Sequence, residues 1–110
     1  MPFYLYQCSY TPDAIKAMIA EPQDREAAAS KMIESLGGKL HHFSFAFGTN
    51  DIVALIEVPD DKAMVAGAML VARSGAISNG STTKLVSMKD AMEAMALAAK
   101  AGGAYKPPTS

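Results

Sequence analysis

The chain reads as one α+β domain, a four-stranded antiparallel sheet with its elements in the order β-α-β-β-α-β. Three observations predict this. An aromatic, apolar run at residues 3–10 leads straight into a helix start at Thr11-Pro12-Asp13. Two strand-like runs, 39–47 and 52–58, flank the turn-forming Gly48-Thr49-Asn50-Asp51. A helix opening at Asp60-Asp61 then returns to a last strand at Thr82–Ser87.

Taken in order, Phe3 to Tyr10 lacks Gly and Pro and puts Tyr4, Tyr6, Cys8 and Tyr10 on one face. Thr11 is placed to cap a short helix, with Pro12 at its first position and Ile15, Met18 and Ile19 on one side. Pro22 must stop or kink it. Asp24-Arg25-Glu26 starts a second helix, whose Ala29, Met32, Ile33 and Leu36 fall at helical spacing before Gly37-Gly38 ends it. Along 39–47, His41, Phe43, Phe45 and Phe47 alternate with His42, Ser44 and Ala46. The β-branched run 52–58 closes at Pro59. The next helix is expected to bury Val65, Met69 and Ala72 and to stop at Gly75. Residues 76–80 fit either a loop or a bulged start to the fourth strand. Ser87 is placed to cap a final helix with Met88, Met92 and Met95 on one side. The expected domain spans residues 1–104, and 105–110, with Pro107-Pro108, form a mobile tail.

Two crossovers in this order put both helices on one sheet face. The other face is left bare, and a bare face carrying Phe, Val and Leu is a liability for a monomer. Dimerisation is therefore an expectation of the fold itself. The eight methionines are consistent with soft apolar surface covered by a partner, and equally with core filling.

Composition narrows the function classes. A net charge of −1, with acids and bases interspersed, gives no footprint for nucleic acid or an anionic membrane. No apolar run reaches the roughly 18 residues that span a bilayer. Met1-Pro2-Phe3-Tyr4 does not open a signal peptide, and the single Cys8 fits a reducing compartment, so a cytoplasmic protein is expected. No nucleophile triad, phosphate loop or Cys-x-x-Cys is present.

The central residues carry a family resemblance. Leu36-Gly37-Gly38-Lys39-Leu40, then Phe47-Gly48-Thr49-Asn50-Asp51-Ile52-Val53-Ala54, then Ile56-Glu57-Val58-Pro59-Asp60 resemble the GYD-domain family. That family runs Gly-Gly-Lys, a strand, a Gly-x-Tyr-Asp turn, a strand, and Glu-x-Pro-Asp. Thr11 and Pro22-x-x-Arg25 also stand where its pattern has a Thr and a Pro-x-x-Arg, so the likeness covers about residues 3–88. The family's Tyr is Asn50 here. The resemblance implies a ferredoxin-like dimeric α/β barrel and a homodimer, with no assigned activity. Related barrels include cofactor-independent monooxygenases and lactone isomerases, a likeness of fold alone.

One constellation suggests chemistry. If Phe47 pairs with Ile52 across a four-residue turn, His42 falls opposite Glu57 and Ser44 opposite Leu55. A carboxylate beside an imidazole orients it as a general base requires, and also makes an ordinary cross-strand pair. His41 and His42, as strand neighbours, should diverge, and Cys8 is distant, so no metal centre is expected. A haem needs only one His, but a Phe row on a strand is a core signature, and no cofactor is expected. Tyr6 could line a pocket for an aromatic ligand or pack the sheet. Asn50 and Asp51 could touch a ligand or simply make the turn. Arg25 could hold an anion or pair with Asp24, Glu26 or a partner's acid.

The expected function is small-ligand binding or an accessory role by a homo-oligomer. The alternative is a cofactor-independent enzyme in which His42, assisted by Glu57, moves a proton. Tyr6, Ser44, Asn50 and Asp51 would contact its substrate.

Overall fold

A computed structural model describes residues 1–109 of the chain. Four strands, β1 (Phe3–Tyr10), β2 (Lys39–Phe45), β3 (Ile52–Glu57) and β4 (Ile77–Leu85), form one antiparallel sheet in the order β2-β3-β1-β4. The helices are α1 (Pro12–Ala20), α2 (Arg25–Ser35), α3 (Asp61–Arg73) and α4 (Met88–Lys100). This is the expected β-α-β-β-α-β arrangement with an added helix, a ferredoxin-like fold.

Every helix starts on a side-chain cap. Thr11, Asp24, Asp60 and Ser87 each accept a hydrogen bond from the backbone N–H three residues on, which satisfies one orphan donor of the first turn. Gly37, in the left-handed region with φ +82°, ends the α2 segment, and Gly38 then passes hard against β3. A Cβ on Gly38 would stand 2.2 Å from the Glu57 carbonyl, so no other residue fits there.

The core lies between the sheet and α2 and α3. Tyr4, Ala54 and Ile56 from the sheet meet Ile33 of α2 and Met64 of α3, with Val58 completely buried beside them. The register of α3 differs from the expected one. Its buried residues are Met64 and Gly67, whereas Val65 and Met69 are exposed. Two apolar stripes one residue apart run along this helix, and close approach decides between them. Gly67 nestles against α2, where an added Cβ would come within 3.2 Å of Leu36 Cδ1. Such backbone proximity is possible only on the stripe that carries the glycine.

Of the ambiguous residues 76–80, all but Ala76 belong to β4. The strand begins at Ile77, opposite Tyr10, and its pairing shifts between Ser9 and Tyr10, a bulge that takes up Ser78. The final helix stands apart. α4 buries none of its residues, and the molecule measures 61 × 33 × 22 Å with a radius of gyration of 18.1 Å. A compact domain of this length would have one of about 13 Å. α4 is an arm on the far side of β4. Ser110, the last residue of the expected tail, lies outside the described residues.

Candidate functional site

The hairpin register moves the histidines. Phe45, not Phe47, pairs with Ile52, because the loop runs from Ala46 to Asp51 and closes on an Ala46 N–H to Asp51 carbonyl bond of 2.6 Å. The four turn-forming residues do not make a tight turn, so the pairing starts two residues early. A bulge then falls between Leu40 and His42, leaving His41 as the extra residue. His42 therefore faces Leu55, Ser44 faces Val53, and Glu57 faces Lys39. The expected His42–Glu57 pair does not form.

His41 takes its place. Its Nε2 lies 2.8 Å from Glu57 Oε1, and its ring stacks at a tilt on Phe3, centroids 5.0 Å apart. His42 shares a 2.5 Å hydrogen bond with Ser44 Oγ. Leu40 and Phe43 pack against the core, so the bulge turns both imidazoles to the face away from the helices. The expectation that they diverge fails for that reason. Among the described residues, no group of three or more His, Cys, Asp or Glu side chains comes together. Phe43 and Phe45 lie on the helix side, and Phe47 stands fully exposed in the loop.

The turn residues act on the end of β1. Asp51 Oδ2 accepts from the Tyr10 N–H at 2.9 Å, and Asn50 Oδ1 accepts from Ser9 Oγ at 3.5 Å. Together they tie the hairpin loop to the strand beside it.

A cavity of about 220 Å³ lies on the opposite, helix-facing side. Its floor is Tyr6, Cys8, Ile52 and Ala54, and its roof comes from Ala29, Met32 and Ile33 of α2 and Leu70 and Val71 of α3. A shallower groove of about 440 Å³ adjoins it, shared through Tyr10, Arg25, Phe43 and Ile52. Tyr6 is thus the one expected site residue that lines the cavity. His42, Ser44, Glu57, Asn50 and Asp51 do not line it.

The cavity's thiol and phenols are held in their protonated forms. Burial, reinforced by the Asp51 charge, pushes the Cys8 thiol up to about 11. Burial raises the Tyr6 hydroxyl as well. It also raises Tyr10, against which the nearby Arg25 guanidinium pulls downward. Neither a thiolate nor a general base is available here near neutral pH. Arg25 was legible as a candidate from its place at a helix start, but its sharing of the cavity with Tyr10 was not.

Comparison with known proteins fits this architecture. The model of the GYD domain matches residues 4–104. The chain belongs to the GYD domain family. Among solved structures, this GYD protein is similar to TTHA0845 from Thermus thermophilus, at 14% identity and a TM-score of 0.54, over 79% of this chain and 95% of that one. It is also similar to MtbAldR, at 14% identity and a TM-score of 0.53, over 78% of this chain and 52% of that one. At these identities the likeness is one of fold. The comparison with curated proteins gave no match. Among the described residues, no helix is long and apolar enough to cross a membrane.

Proposed function

We propose that this GYD protein is a homo-oligomeric binding protein that holds a small apolar or aromatic ligand between its sheet and helices. The observation that carries this reading is the cavity itself. It is lined by aliphatic, methionine and aromatic side chains with a few hydroxyls, the composition of a small-molecule site. Its polar groups are two phenols, a thiol, a serine hydroxyl and one guanidinium, with no carboxylate or imidazole among them. Such a lining orients a ligand and supplies no proton acceptor. Enzymatic proton transfer by His42 and Glu57 has no comparable support, because neither residue lines the cavity and the two are not paired.

The oligomer is part of the proposal. The sheet face bearing Phe3, Leu5, Val53 and Leu55 has no helix over it, and the methionine stripe of α4 has no cover of its own. A second copy of the chain covers both by facing sheet to sheet and receiving the arm. This buries exposed Met88, Met92 and Met95 without any other partner.

The binding reading is tested by titrating the full-length protein with a neutral single-ring probe, 3-phenylpropan-1-ol, and following backbone NMR shifts. The expected movement is confined to Cys8, Ile52, Ala54 and their neighbours in α2, and disappears in Ala29→Phe, which fills the cavity. Shifts centred on His41, His42 and Glu57 would move the site to the other face and end this reading.

A further inference from the structure

We infer that the cavity takes a ligand made of one apolar ring and a single carboxylate. The ring would lie among Cys8, Met32 and Ile52, and the carboxylate on the Arg25 guanidinium and the Tyr10 hydroxyl. The inference rests on the cavity reading above and adds the chemical class.

Position comes first. Arg25 and Tyr10 line both the cavity and the shallower groove, so they stand where the two meet. The rest of the cavity lining is apolar apart from the Cys8 thiol and the Tyr6 and Ser74 hydroxyls. A molecule seated with its apolar part inward presents its outer end to Arg25. The Arg25 and Tyr10 side chains line both spaces, so one ligand group placed at the junction can engage both.

Charge comes second. Arg25 is the only cationic residue lining either space. The two ion pairs among the described residues, His41–Glu57 and Lys84–Asp61, leave it out. Its one side-chain bond goes to the neutral Gln23 Oε1 at 3.0 Å, so most of its five N–H donors remain free for a bidentate acceptor. Of the nearby acids, Glu26 lines the groove beside Arg25 but forms no ion pair with it, and two others are engaged elsewhere. Asp24 caps α2 through the Ala27 N–H, and Asp51 accepts from the Tyr10 N–H. One guanidinium with one phenol as second donor matches a carboxylate; a phosphate dianion would call for a second cation.

Size comes third. An apolar cavity of about 150 Å³ takes up benzene. The roughly 220 Å³ here therefore holds one ring and a short arm.

The experiment compares 3-phenylpropanoate, 3-phenylpropan-1-ol and 3-phenylpropylamine on the full chain at pH 7 by calorimetry and NMR. The acid is expected to bind about 10-fold or more tighter than the alcohol, the amine more weakly than both. Arg25→Gln should erase the preference by weakening the acid far more than the alcohol, and Arg25→Lys should keep part of it. Equal binding of acid and alcohol, or a preference that survives Arg25→Gln, overturns the carboxylate inference and leaves the cavity reading standing. If none of the three shifts Cys8, Ile52 or Ala54, both fail. Arg25 is exposed, so its variants are expected to fold.

Discussion

At the scale of single residues, Tyr4 shows how one side chain joins the sheet to a helix start. Buried in the core, it donates from its hydroxyl to Asp61 in the first turn of α3, and Lys84 of β4 sits 2.9 Å from the same carboxylate oxygen. Burial first, then the Asp61 bond, pushes the Tyr4 phenol up to about 12, while the same bond holds the Asp61 carboxyl below its ordinary value. The two signs differ. A phenol raised in the folded state adds stability below its unfolded value near 10, and that stability is lost as pH climbs through 12. The Asp61 contribution is present above the unfolded carboxylate range and is lost as pH falls through its lowered value. Tyr4→Phe should therefore lower Tm modestly at pH 7 and flatten its decline between pH 10 and 12, as followed by circular dichroism. A decline of unchanged steepness would assign the alkaline loss to Tyr6, Cys8 and Tyr10, whose values are also raised. The tyrosine row was legible in the sequence because strand alternation puts Tyr4, Tyr6 and Tyr10 on one face. Which of them lines a cavity and which seals the core depends on the helices above, and no local pattern encodes that.

At the scale of elements, helix starts were legible and strand registers were not. A cap acts over three residues, so Thr11, Asp24, Asp60 and Ser87 announce themselves locally. Register depends on a loop's true length and on every irregularity between it and the residue of interest. His41 is such an irregularity, carrying neither Gly nor Pro to mark it, and the alternation of phenylalanines continues past it undisturbed. The bulge makes a checkable statement about the ladder. With His41 deleted, Leu40 opposite Ile56 would be followed directly by His42 opposite Leu55, in regular sequence. The deletion should therefore keep the fold and lose only the His41 contacts with Glu57 and Phe3, a cost of about 1–2 kcal/mol in urea unfolding. In a ladder without a bulge the same deletion would turn Leu40 out of the core, and the protein would unfold.

At the scale of the molecule, the arm sets the terms. A chain of 11.6 kDa that extends to 61 Å with an uncovered methionine stripe is expected to weigh twice that by native mass spectrometry. Replacing Met92 and Met95 with Glu should return it to the monomer mass while the sheet signature in circular dichroism persists. A wild-type monomer would refute the proposed covering by a second copy. The sheet's outer strands are β2 and β4, and an outer strand with open hydrogen-bonding groups can recruit another chain. On β2 the bulge spoils that template. It interrupts the even spacing of amides midway along the strand, and Lys39, His41 and His42 leave polar, solvated side chains beside it. A foreign strand would find no continuous row of partners there. The irregularity that displaced the histidines thus works against fibrillar growth along the β2 border.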